Sequence, residues 1–222
     1  MRSFFNNSIS GSGTVVVNGV VMSGQGRQVQ GSGRRASEQR HIPDFHGIEL
    51  AAGVDVRYVT GAEPRLVIAG DDNLLELVTT VVDQGILIIS TTPNVGYSSS
   101  SGIVIECSSR QLEMLAIEGS GDADARGLHA DRFEASIAGS GEMRLAGTAR
   151  SATLRIAGSG DIHALDLCCE RAEASIAGSG EIAVHSTQQL DATISGSGDI
   201  RYRGATPRRS RVTGSGSITG CA

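Results

Sequence analysis

The chain has 222 residues, of which 30 are glycine, none is tryptophan and 3% are aromatic, and all 19 of its basic residues are arginine. A net charge of −5 excludes the basic face that a nucleic-acid protein needs. No apolar run is long enough for a membrane-inserted helix, and so few large side chains argue for a thin stack filled by Ile, Val, Leu and Ala rather than a thick enzyme core.

Residues 1–33 hold the phrase Gly-Ser-Gly twice, at Gly11 and Gly31. Between them TVVVNGVVM reads as strand, Asn-Gly turn, strand, a hairpin signal. This glycine-rich segment is expected to form an extra coil, or an arm that joins copies of the chain into a homo-oligomer; a flexible leader is the plainer alternative. Residues 34–41, RRASEQRH, read as a polar link into a main domain covering 34–222. The start, MRSFFNNSISGSG, lacks the apolar segment of a secretory signal, so a cytoplasmic location is expected if Met1 is the native start.

From Asp44 the strands are longer: FHGIELAAGVDVRYVTG, PRLVIAG and DDNLLELVTTVVDQGILIIST. Leu66 and Ile68 alternate with Val67, while Ile86–Ile89 is a continuous apolar run that suits a more enclosed strand. Asp71-Asp72-Asn73 reads as a turn or cap, and Leu74–Val82 as a short helix or a strand, with the β-branched residues favouring strand. Pro93–Gly102, with four consecutive serines, reads as a solvated loop ahead of a strand at GIVIEC.

From Leu112 one phrase returns: AIEGSGD, SIAGSGE, RIAGSGD, SIAGSGE, TISGSGD and VTGSGS. Its leading glycines are Gly119, Gly139, Gly158, Gly178, Gly196 and Gly214, at intervals of 20, 19, 20, 18 and 18. A fixed period in this range marks stacked structural units. Apolar residues alternate on both sides of each phrase, as in strands with one buried face. About 19 residues at roughly 3.3 Å each make one coil of a β-solenoid, with Gly-Ser-Gly as its corner. The expected fold is all-β, a right-handed parallel β-helix of 18–20 residues per coil. Ile117, Ile137, Ile156, Ile176, Ile194 and Val212 should form one interior column. The tail gathers Arg201, Arg203, Arg208, Arg209 and Arg211 around Pro207, which reads as a charged edge that discourages strand pairing.

The phrases FHGIEL, GVDVRYVTG, DDNLLELVTT and GILIIS, the recurring GSGD/GSGE and the closing IRYRGATP and VTGSGSI resemble the putative auto-transporter adhesin, head GIN domain family of bacteria. The resemblance covers about residues 42–218 in order. It implies a right-handed parallel β-helix similar to pectin-lyase-type folds, no catalytic residues, an adhesion role by analogy, and a location at the cell surface or outside the cell.

One acid follows each corner: Asp122, Glu142, Asp161, Glu181 and Asp199. In a stack they would form a column about 4.8 Å apart, where like charges repel unless arginines or cations intervene. A calcium ladder is one reading, but calcium wants six to eight oxygens. Hydrogen bonds from the acids to the corner backbone are the simpler one. The corner serines are equally periodic, and a nucleophile needs a base and an orienter at one place. His41, His46, His129, His163 and His185 share no repeat offset and read as solvated or capping residues. Cys107, Cys168, Cys169 and Cys221 show no metal spacing. No catalytic residue and no cofactor is expected. The leading reading is a non-catalytic binding or adhesion module for a carbohydrate or protein ligand. The alternatives are a self-assembling cytoplasmic scaffold and, behind it, a carbohydrate-active enzyme.

Overall fold

The computed structural model describes the backbone of residues 15–17, 20–23 and 26–221, with side chains from residue 27 onward. In chain order the strands are β1 (Val15–Val17), β2 (Val20–Ser23), β3 (Gly26–Gln30), β4 (Arg35–Arg40), β5 (Gly47–Ala51), β6 (Asp55–Thr60), β7 (Arg65–Asp71), β8 (Val78–Asp83), β9 (Ile86–Thr91), β10 (Val95–Ser98), β11 (Val104–Ser109) and β12 (Met114–Gly119). There follow β13 (Asp122–Gly139), β14 (Glu142–Gly158), β15 (Asp161–Gly178), β16 (Glu181–Gly196), β17 (Asp199–Gly204), β18 (Pro207–Gly214) and β19 (Ser217–Gly220). The four long strands are whole coils, each running from one Gly-Ser-Gly corner to the next.

Consecutive coils pair in parallel, and the expected isoleucine column is what holds them. Ile117 pairs with Ile137, then Ile156, Ile176, Ile194 and Val212, each directly beneath the next. The five isoleucines are buried; Val212 keeps the register but is 41% exposed, because no coil among the described residues covers it. A second column runs Ala123, Met143, Ile162, Ile182 and Ile200 on the other side of the corner. The fold is therefore the parallel β-helix that the period demanded.

The corner explains why both glycines recur. The first takes a left-handed φ, 143° at Gly139 and 139° at Gly158, which costs other residues steric strain. The second lies against backbone: a Cβ on Gly160 would meet the Gly141 carbonyl oxygen at 2.5 Å and Ile137 Cγ2 at 2.7 Å. In return each corner serine donates its N–H to the first glycine of the coil before, as Ser159 does to Gly139 at 2.9 Å.

Unequal coil lengths are absorbed on the far side. The β15 and β16 ladders match from Asp161–Glu181 to Ala164–Val184, then jump to Cys168–His185 and again to Arg171–Gln189. A similar shift separates Arg144 from Ala146 in the β14 ladder. The glycine corner stays in register while the opposite bend takes up the slack.

The amino-terminal end closes by reversing direction. β5 and β6 form the coil below β12 and β13, and β9 and β11 add one more parallel level. Beyond them β8 runs antiparallel to β9, and β7 and β4 run antiparallel in turn on β11. Residues 34–41 are thus no link: β4 is an edge strand, its exposed Arg and Glu side chains blunting the sheet. Leu75–Leu77 makes one 3-10 turn before β8, so both alternatives for that stretch are realised. The serine-rich stretch is not only loop, since β10 pairs in parallel with β3.

β1, β2 and β3 form a small sheet with β10. β1 and β2 pair antiparallel with Val17 opposite Val20, as a two-residue turn requires; the Asn18-Gly19 turn itself and the Gly11 phrase lie outside the described residues. The Gly31 phrase is clamped by the Asp-Asp-Asn turn. Ser32 donates its hydroxyl to Asp72 (2.5 Å) and its N–H to Asn73 (2.9 Å), Asn73 donates to the Gln30 carbonyl (2.8 Å), and Arg34 pairs with Asp72 (2.7 Å).

Ile156→Ala should cost about 2–5 kcal/mol, since it hollows the middle of a packed column. Arg155→Gln, which loses exposed ion pairs to Glu134 (2.6 Å) and Glu173 (3.8 Å), should cost about 1 kcal/mol or less. Thermal melts of the two variants check this, and equal losses would refute the assigned inner and outer faces.

Candidate binding groove

The acid row forms as expected, and each acid from Asp122 to Asp199 has one oxygen engaged within the fold. Glu142, Asp161, Glu181 and Asp199 are successive ladder partners, and Asp122 pairs on its other side with Asp55. Asp55 had not been anticipated, because no glycine corner precedes it. The aspartates accept the backbone N–H of the next coil: Asp122 from Glu142 (2.9 Å), Asp161 from Glu181 (2.8 Å) and Asp199 from Ser217 (2.8 Å). Where the lower acid is a glutamate, that N–H goes instead to a glycine carbonyl, Asp161 to Gly141 and Asp199 to Gly180, both at 3.1 Å. The glutamates turn outward to bases: Glu142 to Arg144 (2.5 Å) and His163 (3.1 Å), and Glu181 to Arg201 Nε (2.8 Å).

Asp and Glu thus alternate for a physical reason. The shorter side chain reaches the adjacent backbone, and the longer one reaches past it to a cation that offsets the neighbouring charges. Burial first, and the charge of Asp122 second, raise the Asp55 carboxyl above its usual value. The Ser217 hydroxyl and N–H hold Asp199 below its own. Among the described residues no three His, Cys, Asp or Glu side chains come together as a metal site.

The site with room for a ligand lies on the opposite bend. A groove of about 590 Å³ crosses the coils there. One rim is a ladder row, His129, Thr148 and Cys168, continuing to His185. The next residue of each coil turns toward the core beneath the groove: Ala130 is half-buried, and Ala149 and Cys169 are buried. The third, Asp131, Arg150 and Glu170, makes the second rim with Thr187. Polar rims thus border a floor of strand backbone.

Side chains along the groove are only lightly engaged with each other. His129 Nδ1 shares a hydrogen bond with Thr148 Oγ1 (3.0 Å), and Arg150 lies 4.0 Å from Glu170. Gln111 reaches Glu113 (3.3 Å) at one end, where a second hollow lined by Asp44, His46 and Arg110 continues the path. Burial, and then the neighbouring Cys168, push the Cys169 thiol up to about 12, so it is a packing residue rather than a nucleophile. His129 and Cys168 stand two ladder steps apart, about 9.6 Å along the stack, whereas Cys168 and His185 are direct ladder partners.

Sequence reasoning left His129, His185 and Cys168 as unrelated residues because it counted from the glycines. His129 is the tenth residue after Gly119 and His185 the seventh after Gly178. Only the register shifts bring them into one row. A faint signal existed in the tripeptides His-Ala-Asp (129–131), Thr-Ala-Arg (148–150), Cys-Cys-Glu (168–170) and His-Ser-Thr (185–187), each a small residue between polar ones. The remaining histidines lie elsewhere: His46 borders the second hollow and His163 pairs with Glu142.

Comparison with known proteins supplies the context. The family model described as putative auto-transporter adhesin, head GIN domain, matches residues 44–206. A crystal structure of a putative adhesin from Bacteroides fragilis is similar at a TM-score of 0.70 and 23% identity, covering 87% of this chain and 100% of that one. A putative lipid binding protein from Parabacteroides distasonis is 28% identical at a TM-score of 0.58, covering 88% of this chain and 100% of that one. A putative adhesin from Parabacteroides merdae gives 0.51 at 22% identity, with 88% and 99% covered. No curated protein matches.

The Asp199 contacts give a pH prediction. A carboxyl held below its usual 3.8 in the folded state adds stability at pH above 3.8, and that stability is lost as pH falls through the lower folded value. The protection factor of the Ser217 amide, its exchange relative to unstructured peptide at the same pH, should therefore fall below about pH 4. Asp199→Ala should show a low protection factor at that amide already at neutral pH, changing little with acid. A protected Ser217 amide in the variant would mean that Asp199 does not secure the last coil.

Proposed function

This chain belongs to the putative auto-transporter adhesin, head GIN domain family, and on that premise we propose that it is a non-catalytic binding module that receives an extended, hydroxyl-rich carbohydrate chain in the groove between residues 111 and 187. The observation that carries this reading is the groove's construction: two rows of polar side chains that recur once per coil, flanking strand backbone whose small side chains, Ala149 and Cys169, turn into the core. Sugar hydroxyls donate to carboxylates and accept from guanidinium and hydroxyl groups, which Asp131, Glu170, Arg150, Thr148 and Thr187 supply. Subsites spaced by the roughly 4.8 Å coil repeat suit a polymer better than a compact metabolite. A protein strand is the other extended ligand, but the groove offers side chains rather than a free strand edge.

Family membership favours a cell-surface or secreted location over the cytoplasmic one suggested by the first residues. No helix among the described residues is long and apolar enough to cross a membrane. The relative described as lipid binding keeps a lipid ligand in the comparison, but the polar rims do not suit an acyl chain.

Glu170 and Arg150 are exposed on the rim, so their substitution leaves the columns untouched. Retention on immobilised bacterial and host polysaccharides should fall at least tenfold for Glu170→Arg and for Arg150→Glu, with an unchanged melting temperature and no release of reducing ends by the native protein. Retention that survives both substitutions, or binding to lipid vesicles in place of polysaccharide, would overturn the carbohydrate reading.

A further inference from the structure

The two ends of the stack are finished differently. The amino-terminal end is closed by antiparallel strands, but among the described strands nothing pairs with the outer edges of β18 and β19. Val212 is 41% exposed there, at the head of a column whose other members are buried. Each inner corner passes a hydrogen bond upward, as when Ser215 donates to Gly196 (3.0 Å), whereas among the described residues the Gly214 carbonyl receives none. Arg201, Arg203, Arg209 and Arg211 pair in register with Ala183, His185, Asp191 and Thr193, and Arg208 lies 3.6 Å from Asp191, whereas the positions stacked on the buried Ala192, Ile194 and Ile200 are Ser210, Val212 and Ile218.

The chain carries one spare copy of the coil phrase. Residues 8–17 read SISGSGTVVV, and residues 193–202 of the body read TISGSGDIRY. Ile9 stands at the offset of Ile194 and Val212, and Val15 at that of Ile200 and Ile218. The Gly31 phrase does not match in this way: it has Arg35 at the second inward position, and the Asp-Asp-Asn turn already holds it. β1 ends its own sheet, so one of its edges is free among the described strands. That sheet is fixed at the amino-terminal end, where Tyr97, beside β3, donates to the Gly53 carbonyl (2.7 Å). From β9 to β18 the stack has seven ladder spacings, about 34 Å, so the sheet that holds β1 is anchored at the opposite end of the stack from β18 and β19.

We propose that residues 8–17 of one molecule form the next half-coil on the bare carboxy-terminal end of a second copy, head to tail. The Ser12 N–H then donates to the Gly214 carbonyl, Ile9 covers Val212, and β1 runs parallel to β19 with Val15 over Ile218. Residues 8–17 hold no charge, so nothing in them repels the arginines around that end. Because donor and acceptor surfaces differ, the contact is heterologous and builds open chains rather than a closed pair.

Light scattering over a concentration series, on the full chain and two variants, tests this. Gly13→Val places a side chain where the equivalent Gly198 would meet the Gly180 carbonyl and Ile176 Cγ2. Val212→Asp charges the bare end, and Ile218→Asp replaces it if the first variant melts early. The native chain should grow in mass with concentration, each variant alone should stay monomeric, and an equal mixture of the two should stop at a dimer. That complementation follows because only the intact arm of one variant and the intact end of the other can meet. A native chain that is monomeric throughout, a variant that associates as the native chain does, or a mixture that stays monomeric would overturn the proposal.

Discussion

The close stacking of Gly-Ser-Gly corners is the constraint on which the rest of this molecule depends. Backbone there lies directly on backbone, with a carbonyl of one coil facing the glycine of the next. Only glycine tolerates both the left-handed φ and the missing space, so the corner sets the spacing and the register of every coil. Once the corners are aligned, Ile137, Ile156, Ile176 and Ile194 must fall in one column, because residues two before the first glycine can face only inward. The thin core, with few aromatic residues, is a consequence of that geometry.

Regular stacking has an electrostatic cost, since whatever follows the corner in one coil lies beside its equivalent in the next. Six carboxylates would repel along this line if they pointed the same way. From Asp122 onward the alternation of Asp with Glu disperses them: aspartates turn to neighbouring N–H groups, glutamates to Arg144, His163 and Arg201. Asp55 lies beside Asp122 outside this alternation, and burial together with that charge raises its carboxyl. The same groups that would suit a cation ladder are the ones that tie successive coils together. Periodicity of a charged residue in a solenoid is therefore evidence about stacking before it is evidence about a ligand.

Rigidity at the corner also determines where variation is tolerated. Insertions of one or two residues collect at the opposite bend, and there the ladder slips while the columns stay intact. That bend is where polar side chains border a floor of strand backbone, so the surface free to vary is also the surface with room to bind. A scaffold fixed on one side and adjustable on the other fits a chain that shares its fold with solved structures at 22–23% identity.

The sequence alone determined the strand period, the identity of the isoleucine column, the coil length and the acid row, since each depends on spacing from an invariant corner within a single coil. It also carried the family phrases. What it could not supply were contacts that join distant residues without a shared offset. The clamp of Asp72 and Asn73 on Ser32, the edge strand at Arg35–Arg40 and the pairing of β10 with β3 all look like loop in a local reading, because polar residues are ambiguous until a partner strand is present. The groove was hidden for a related reason. His129 and His185 become members of one row only after register shifts that no residue count records, and those shifts are decided by how unequal coils pack around a common column.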